Sequence, residues 1–156
     1  MASNHGGGLD IAKEMIRRSR EAHADYVKAQ YFHIRELGVT GEKAKQLRKA
    51  ALNLTQLEEL KNYAVQQGIG FLVTPMATIK TLLTYVKRFK PSIIKIREAD
   101  GRNEEFVNAA VKTGATLLIS VDPKKGPYFK PCENSFLMYC IPKYAPRTAD
   151  FSHRSA

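Results

Sequence analysis

Five short apolar runs, separated by helical or loop segments, constrain what this chain can fold into more than any other feature. They span residues 26–32, 69–74, 91–96, 115–121 and 136–141. Between them the apolar spacing is helical. Leu9, Ile11, Ala12, Met15 and Ile16 recur through a charged segment, and Ile79, Leu82, Leu83 and Val86 through another. A basic stretch over 42–52 is predicted helical without a strong apolar stripe. Thr55 reads as the next N-cap, with Glu58 completing a capping box and Gly68 ending that helix. A helix over 103–113 closes at Gly114. Short apolar strands alternating with helices form the βαβ pattern, and crossovers of that kind run the strands parallel. An open doubly wound sheet and a barrel both satisfy it, but no G-x-G-x-x-G follows any strand, which weakens the dinucleotide-binding form.

The polar residues on these strands are as informative as the apolar ones. Lys28, Gln30, Thr74, Lys95 and Ser120 stand towards the carboxyl ends of their runs. A parallel strand buried on both faces rarely tolerates a lysine, because removing an unpaired ammonium from water costs several kcal/mol. Either the lysines reach solvent at the strand ends, or they serve a site. In a barrel the carboxyl ends converge on one rim, where lysines and hydroxyls would form a compact site for phosphate and carboxylate oxygens.

A length of 156 residues with 44% apolar composition suits one domain, residues 1–156, and no apolar run is long enough to span a bilayer. The start lacks the pattern of an export signal, so Cys132 and Cys140 are expected as free thiols in a cytoplasmic protein. The net charge of +10 is spread along the chain without a helix-turn-helix or an aromatic-basic pattern. Solvated helix faces or an anionic substrate account for it better than nucleic acid does.

In order along the chain, Asn4-His5-Gly6-Gly7 with Leu9–Lys13, then Ala24-Asp25-Tyr26-Val27-Lys28-Ala29-Gln30, then Gly68-Ile69-Gly70-Phe71-Leu72-Val73-Thr74-Pro75 form a series of motifs. Lys95-Ile96, Lys112-Thr113-Gly114 with Leu118-Ile119-Ser120, and Met138-Tyr139-Cys140-Ile141 with Tyr144 continue it. This series resembles the N-acetylneuraminate (sialic acid) synthases: the N-H-x-G segment, the second strand A-D-A-V-K-F-Q, the third G-I-x-F-L-S-T-P, the K-I of the fourth, the K-T-G…I-L-S run and the sixth strand L-H-C-V-x-x-Y-P. The resemblance implies a TIM-type parallel (β/α) barrel that condenses phosphoenolpyruvate with an N-acetylated hexosamine to a nonulosonic acid, using a divalent metal such as manganese. It implies Lys28, Lys95 and Asp100 as catalytic residues, and Asn4, His5, Gln30, Thr74, Ser120 and Tyr144 as substrate-binding ones. Lys28, Thr74, Lys95 and Ser120 would grip phosphoenolpyruvate, while Asn4, His5 and Tyr144 would line the sugar side.

The departures shape the rest of the expectation. The family's first strand, with its glutamate, would precede Asn4. Glu98 stands where the family has a serine, Val121-Asp122 where it has T-G, and Pro142 where it has a polar contact. The seventh and eighth strands, which carry the family's two metal-binding histidines, have no counterpart before Ala156. An incomplete barrel of about six strands, lacking the last two, is therefore expected. Neither His153 nor any other histidine has a partner at metal-ligand spacing, so no cofactor is expected in this chain. The alternative to a synthase is a non-catalytic truncated relative that binds anions or forms a homo-oligomer through open barrel edges.

Overall fold

The structure, a computed structural model, describes residues 1–141 and Arg147. Its elements run α1 (Leu9–Glu21), β1 (Tyr26–Tyr31), a 3-10 turn (Ile34–Glu36), α2 (Gly41–Ala50), α3 (Leu54–Gln66), β2 (Gly70–Pro75) and α4 (Ile79–Phe89). They continue with β3 (Ile93–Ile96), the short α5 (Glu98–Gly101), α6 (Glu104–Val111), β4 (Thr116–Val121) and β5 (Ser135–Tyr139). Every strand expected from the apolar runs is present, shifted by no more than two residues at either end. Two features had no clear sequence signal, the 3-10 turn and α5.

All strand pairs are parallel, β1 with β2, then β3 with β4 and β4 with β5. β2 and β3 lie side by side, but no backbone ladder joins them, so the sheet is recorded as a pair and a triplet. Neighbours in space are neighbours in sequence, with none of the order reversal that defines a doubly wound sheet. Among the described residues the strands do not close into a barrel.

The core lies between the sheet and its helices. On β1, Val27, Ala29 and Tyr31 are buried in one cluster with Ala12 and Ile16 of α1 and Leu57, Leu60 and Ala64 of α3. Ile94, Ile96, Leu117, Ile119 and Val121 do the same against Phe106, Val107 and Ala110 of α6. Because side chains alternate along a strand, the residues between these point the other way. That second face carries Lys28, Gln30, Thr74, Lys95 and Ser120, so the five polar positions share one side of the sheet. Gln30 is level with Thr74, and Lys95 is level with Leu118, two residues before Ser120.

The start of α3 corrects the expectation at Thr55. The N-cap is Asn53, whose side chain accepts from the Gln56 amide at 2.9 Å while the Gln56 side chain accepts from the Asn53 amide at 2.9 Å. Asn53 and Gln56 have the same three-residue spacing as Thr55 and Glu58, and the box forms two residues earlier, where Leu57 and Leu60 face the core. Asn53→Ala should lower stability by about 1 kcal/mol. Thr55→Ala, at an exposed position inside the helix, should stay within about 0.5 kcal/mol of wild type. Urea melts of the two variants check this, and equal losses would contradict the assignment.

Two clasps fix the loops at the carboxyl ends of the strands. Glu36 accepts from the hydroxyls of Thr78 and Thr81, at 2.7 and 2.6 Å, tying the 3-10 turn to the first turn of α4. Ahead of α1, Gly7 adopts φ +91° with α2 so close that a Cβ there would stand 2.0 Å from the Lys49 carbonyl oxygen. Only glycine lets the N-terminal turn approach α2 in this way.

Candidate functional site

Lys95 is the centre of the polar face. Only 8% of it is exposed, and its ammonium donates to Ser120 Oγ at 2.6 Å and to the Ile96 carbonyl at 2.7 Å. Both acceptors are neutral. Burial first, and the nearby charge of Lys28 second, push the Lys95 ammonium down to about 8, against a smaller upward pull from Cys140. Burial likewise lowers Lys28, which is half-buried. The Met1 ammonium donates to the Lys28 carbonyl at 2.9 Å. Two lysines thus stand near one another on a sheet face, and no carboxylate among the described residues acts on either. Such a field is unfavourable until an anion enters it. Lys95 does not reach solvent from its strand, so the site reading is favoured over the solvent one.

Thr74 adds a second sign of incompleteness. It is 2% exposed, and its Oγ1 has no hydrogen-bond partner among the described residues. Buried hydroxyls are nearly always bonded, so an orphan on the same face as Lys28 and Gln30 is a donor waiting for an acceptor. Thr74 ends the run expected as the second strand, and the structure carries β2 on through Pro75.

At the carboxyl ends of β1 to β3 a cavity of about 390 Å³ opens beside this face. Asn4 and Gln30 line it, as do Met76, Lys43 of α2 and Arg97, the residue after β3. Asn4 is exposed, but His5 is buried and turned to another task. The His5 Nδ1 accepts from the Gly7 amide at 3.1 Å, and its ring also bonds the Ala2 backbone, so it braces the N-terminal turn. Burial lowers its pKa and keeps the ring neutral.

Asp100 is occupied as well. Its Oδ1 accepts from Arg97 at 2.8 Å and from the Ala77 amide at 3.2 Å, and its Oδ2 accepts from Arg97 Nε. Ala77 has φ +78°, so Asp100 holds a strained turn after β2 and aims Arg97 at the same time. The structure thus shows it positioning other groups. Glu98, which stands where the family has a serine, pairs with Arg102 at 2.6 Å. Tyr144, His153 and Pro142 lie outside the described residues. Sequence reasoning missed Arg97 and Lys43. Arg97 could have been found by the carboxyl-end logic that found Lys95, whereas Lys43 looks like any solvated lysine of a basic helix.

Among the described residues, no three His, Cys, Asp or Glu side chains come together as a metal cage. His5 and Asp100 have their polar atoms committed to the protein, so these residues do not by themselves fit a divalent ion. The two cysteines are free. No helix among the described residues is long and apolar enough to cross a membrane.

Comparison with known proteins agrees with this geometry. The chain is 26% identical to the pseudaminic acid synthase of Campylobacter jejuni, over 85% of this chain and 43% of that protein. It is also 26% identical to the human N-acetylneuraminate-9-phosphate synthase, over 99% of this chain and 48% of that one. It therefore spans about half the length of these curated relatives. Among solved structures, an N-acetylneuraminic acid (sialic acid) synthetase from Leptospira borgpetersenii in complex with citrate superposes with a TM-score of 0.80 at 23% identity. That match covers 96% of this chain and 55% of the other, and shows a shared α/β fold with parallel strands. The NeuB family model matches residues 7–123, the stretch that holds β1 to β4 and, of the residues expected at the site, Lys28, Gln30, Thr74, Lys95, Asp100 and Ser120. This chain belongs to the NeuB family.

Proposed function

We propose that this chain is part of a synthase-type (β/α) barrel whose polar sheet face binds phosphoenolpyruvate for condensation with an N-acetylated hexosamine. The observation that carries the reading is Lys95, buried beside Ser120 and near Lys28 with no carboxylate of the described residues acting on it. In the family reaction, C3 of the enol attacks the sugar aldehyde, water adds to C2 and inorganic phosphate leaves, giving a nonulosonic acid. Here Lys28, Lys95, Ser120 and the orphaned Thr74 hydroxyl would hold the phosphate and carboxylate. Gln30 and Asn4 would meet the sugar in the adjoining cavity. Fixing both reactants at one rim supplies much of the rate in such a condensation. The two free thiols suit a cytoplasmic setting.

Calorimetric titration with phosphoenolpyruvate tests this, and its pH dependence has a definite sign. An anion prefers the charged form of Lys95, whose pKa is lowered to about 8. Affinity should therefore be nearly level up to pH 7 and fall as pH rises through 8, by up to about tenfold per unit. Saturable binding that shows no such fall would remove Lys95 from the site.

A second reading, a non-catalytic scaffold that assembles with further strands, is favoured by β5. Phe136 and Tyr139 are 59% and 65% exposed on this outermost strand, beside Met138 at 44%. A folded chain that does not bind phosphoenolpyruvate at any pH would leave this as the better reading.

A further inference from the structure

The amino-terminal ends of the strands carry a second cavity, at the opposite end of the sheet from Thr74 and Ser120. Tyr26, Gly70 and Ile93, the first residues of β1, β2 and β3, line it, together with the last turn of α4 and Lys61 of α3. Its volume, about 310 Å³, stands at the small end of the range for small-molecule sites.

Four aromatic side chains form its body. Tyr85 and Phe89 of α4 are stacked with their centroids 5.1 Å apart, and Phe71 of β2 and Tyr26 of β1 complete the set. The Tyr26 ring lies against the bare backbone of Gly70, where a Cβ would stand 2.2 Å from Tyr26 Cδ1. Tyr26 occupies a position at which the family pattern A-D-A-V-K-F-Q has alanine, so this wall belongs to this chain and not to the motif.

Tyr85 is 3% exposed, and no group among the described residues bonds its hydroxyl. Burial alone pushes its pKa up, so the phenol stays protonated and able to donate. Of the buried side-chain oxygens without a partner, only Thr74 Oγ1 is sealed from solvent, so the Tyr85 hydroxyl is reached from the cavity it lines. A buried donor of this kind calls for an acceptor. Lys61 and Lys90 supply charge beside it. Among the described residues neither forms an ion pair, and no carboxylate lines the cavity. The Lys61 ammonium stands 5.8 Å from the centre of the Phe89 ring. Lys90 ends α4 at φ +42°, a conformation that favours glycine, so the cation is held there against backbone strain.

These parts narrow the ligand. The rings suit a flat apolar body, which offset stacking rewards. Two ammonium groups and a phenol, all donating, suit an anion that only accepts. No guanidinium lines the cavity, so the planar fork that favours phosphate is lacking. A carboxylate, with two oxygens to share between ammonium and phenol, matches the donors present.

We propose that the amino-terminal cavity is a second ligand site, for a single-ring aromatic carboxylate whose acid group is held by the Tyr85 hydroxyl with Lys61 and Lys90. The ring of the ligand lies among Tyr26, Phe71 and Phe89. The site shares no residue with the polar face and does not depend on the condensation reading.

Calorimetric titration of the full chain with 3-phenylpropionate, its neutral counterpart 3-phenyl-1-propanol, and acetate tests the assignment. The aromatic acid should bind saturably, about tenfold or more tighter than the alcohol or acetate. Tyr85→Phe removes a hydroxyl that bonds nothing among the described residues, so it should leave the thermal midpoint in place while weakening the acid about tenfold. The double variant Lys61→Gln, Lys90→Gln should bring acid and alcohol within about twofold of one another. Saturating phosphoenolpyruvate should leave the affinity for the acid unchanged, which separates this cavity from the polar face. Absence of saturable binding, equal affinity for acid and alcohol in the wild-type chain, or displacement by phosphoenolpyruvate would overturn the proposal. So would full affinity for the acid in both variants.

Discussion

Lys95→Met should make the chain more stable and remove its affinity for phosphoenolpyruvate. The two effects have one cause. At pH 7 the Lys95 ammonium is charged, buried and close to Lys28, with only Ser120 and the Ile96 carbonyl to bond. Replacing a poorly compensated buried charge by an apolar side chain of similar length stabilises proteins by about 1–4 kcal/mol. We expect the lower half of that range, because two hydrogen bonds are lost, and a rise in Tm of about 2–4 °C per kcal/mol. Binding should move the other way. A buried charged contact to an anion is worth about 2–5 kcal/mol, so affinity should fall about 30-fold or more.

Stability against pH gives an independent check on the same residue. The folded-state pKa of Lys95 is lowered from 10.5 to about 8. Between those values the unfolded chain holds the proton more tightly, so wild-type stability should rise with pH from about 8 to about 10.5. That rise should be absent in Lys95→Met. A variant less stable than wild type at pH 7, with the rise intact, would show that Lys95 is not the strained group.

Gly7→Ala should be the most damaging small substitution in the N-terminal half. The new methyl group would meet the Lys49 carbonyl oxygen at 2.0 Å, and a helix carbonyl cannot step aside as a side-chain tip can. The backbone at φ +91° is also unsuited to an L-residue. Together these should cost about 2–4 kcal/mol. The damage should also be local to function. The turn held by His5 and Gly7 forms one wall of the cavity at the carboxyl rim through Ser3 and Asn4, and α2 forms the facing wall through Lys43 and Leu47. Parting the walls should weaken binding of the N-acetylated hexosamine and affect phosphoenolpyruvate less. Gly6→Ala is the control, because its φ is also positive, +56°, but nothing lies within 4 Å of the added carbon. Thermal melts should show a clearly smaller loss for Gly6→Ala, and equal losses would assign the effect to backbone strain alone.

How much of this was legible in the sequence depended on whether a residue contradicted its surroundings. The strands were legible because apolar runs bounded by Gly68, Pro75, Pro91 and Gly114 admit few other readings. Lys28, Lys95 and Ser120 stood out because a polar residue on such a run needs a reason, and the structure brings Lys95 and Ser120 into contact. The cap of α3 was misplaced because two boxes of equal spacing overlap, and only the packing of Leu57 and Leu60 decides between them. Lys43 was invisible for the opposite reason. Among 25 lysines and arginines, an exposed one on a basic helix contradicts nothing, and its position across from Arg97 is a property of the fold. Asp100 was singled out as catalytic by resemblance, but its bonds to Arg97 and Ala77 follow from the turn after β2, which no short motif describes.

The missing ladder between β2 and β3 gives any ligand of the polar face a second role. Thr74 belongs to the strand pair on one side of that gap and Lys95 to the triplet on the other. An anion gripped by both would act as a splice, joining by its own oxygens two sheets that the backbone leaves unbonded. Occupancy would then be felt in the rigidity of the whole scaffold, since whatever binds only the joined form adds its binding energy to holding the halves together. On this view the substrate is a temporary beam in the architecture that holds it.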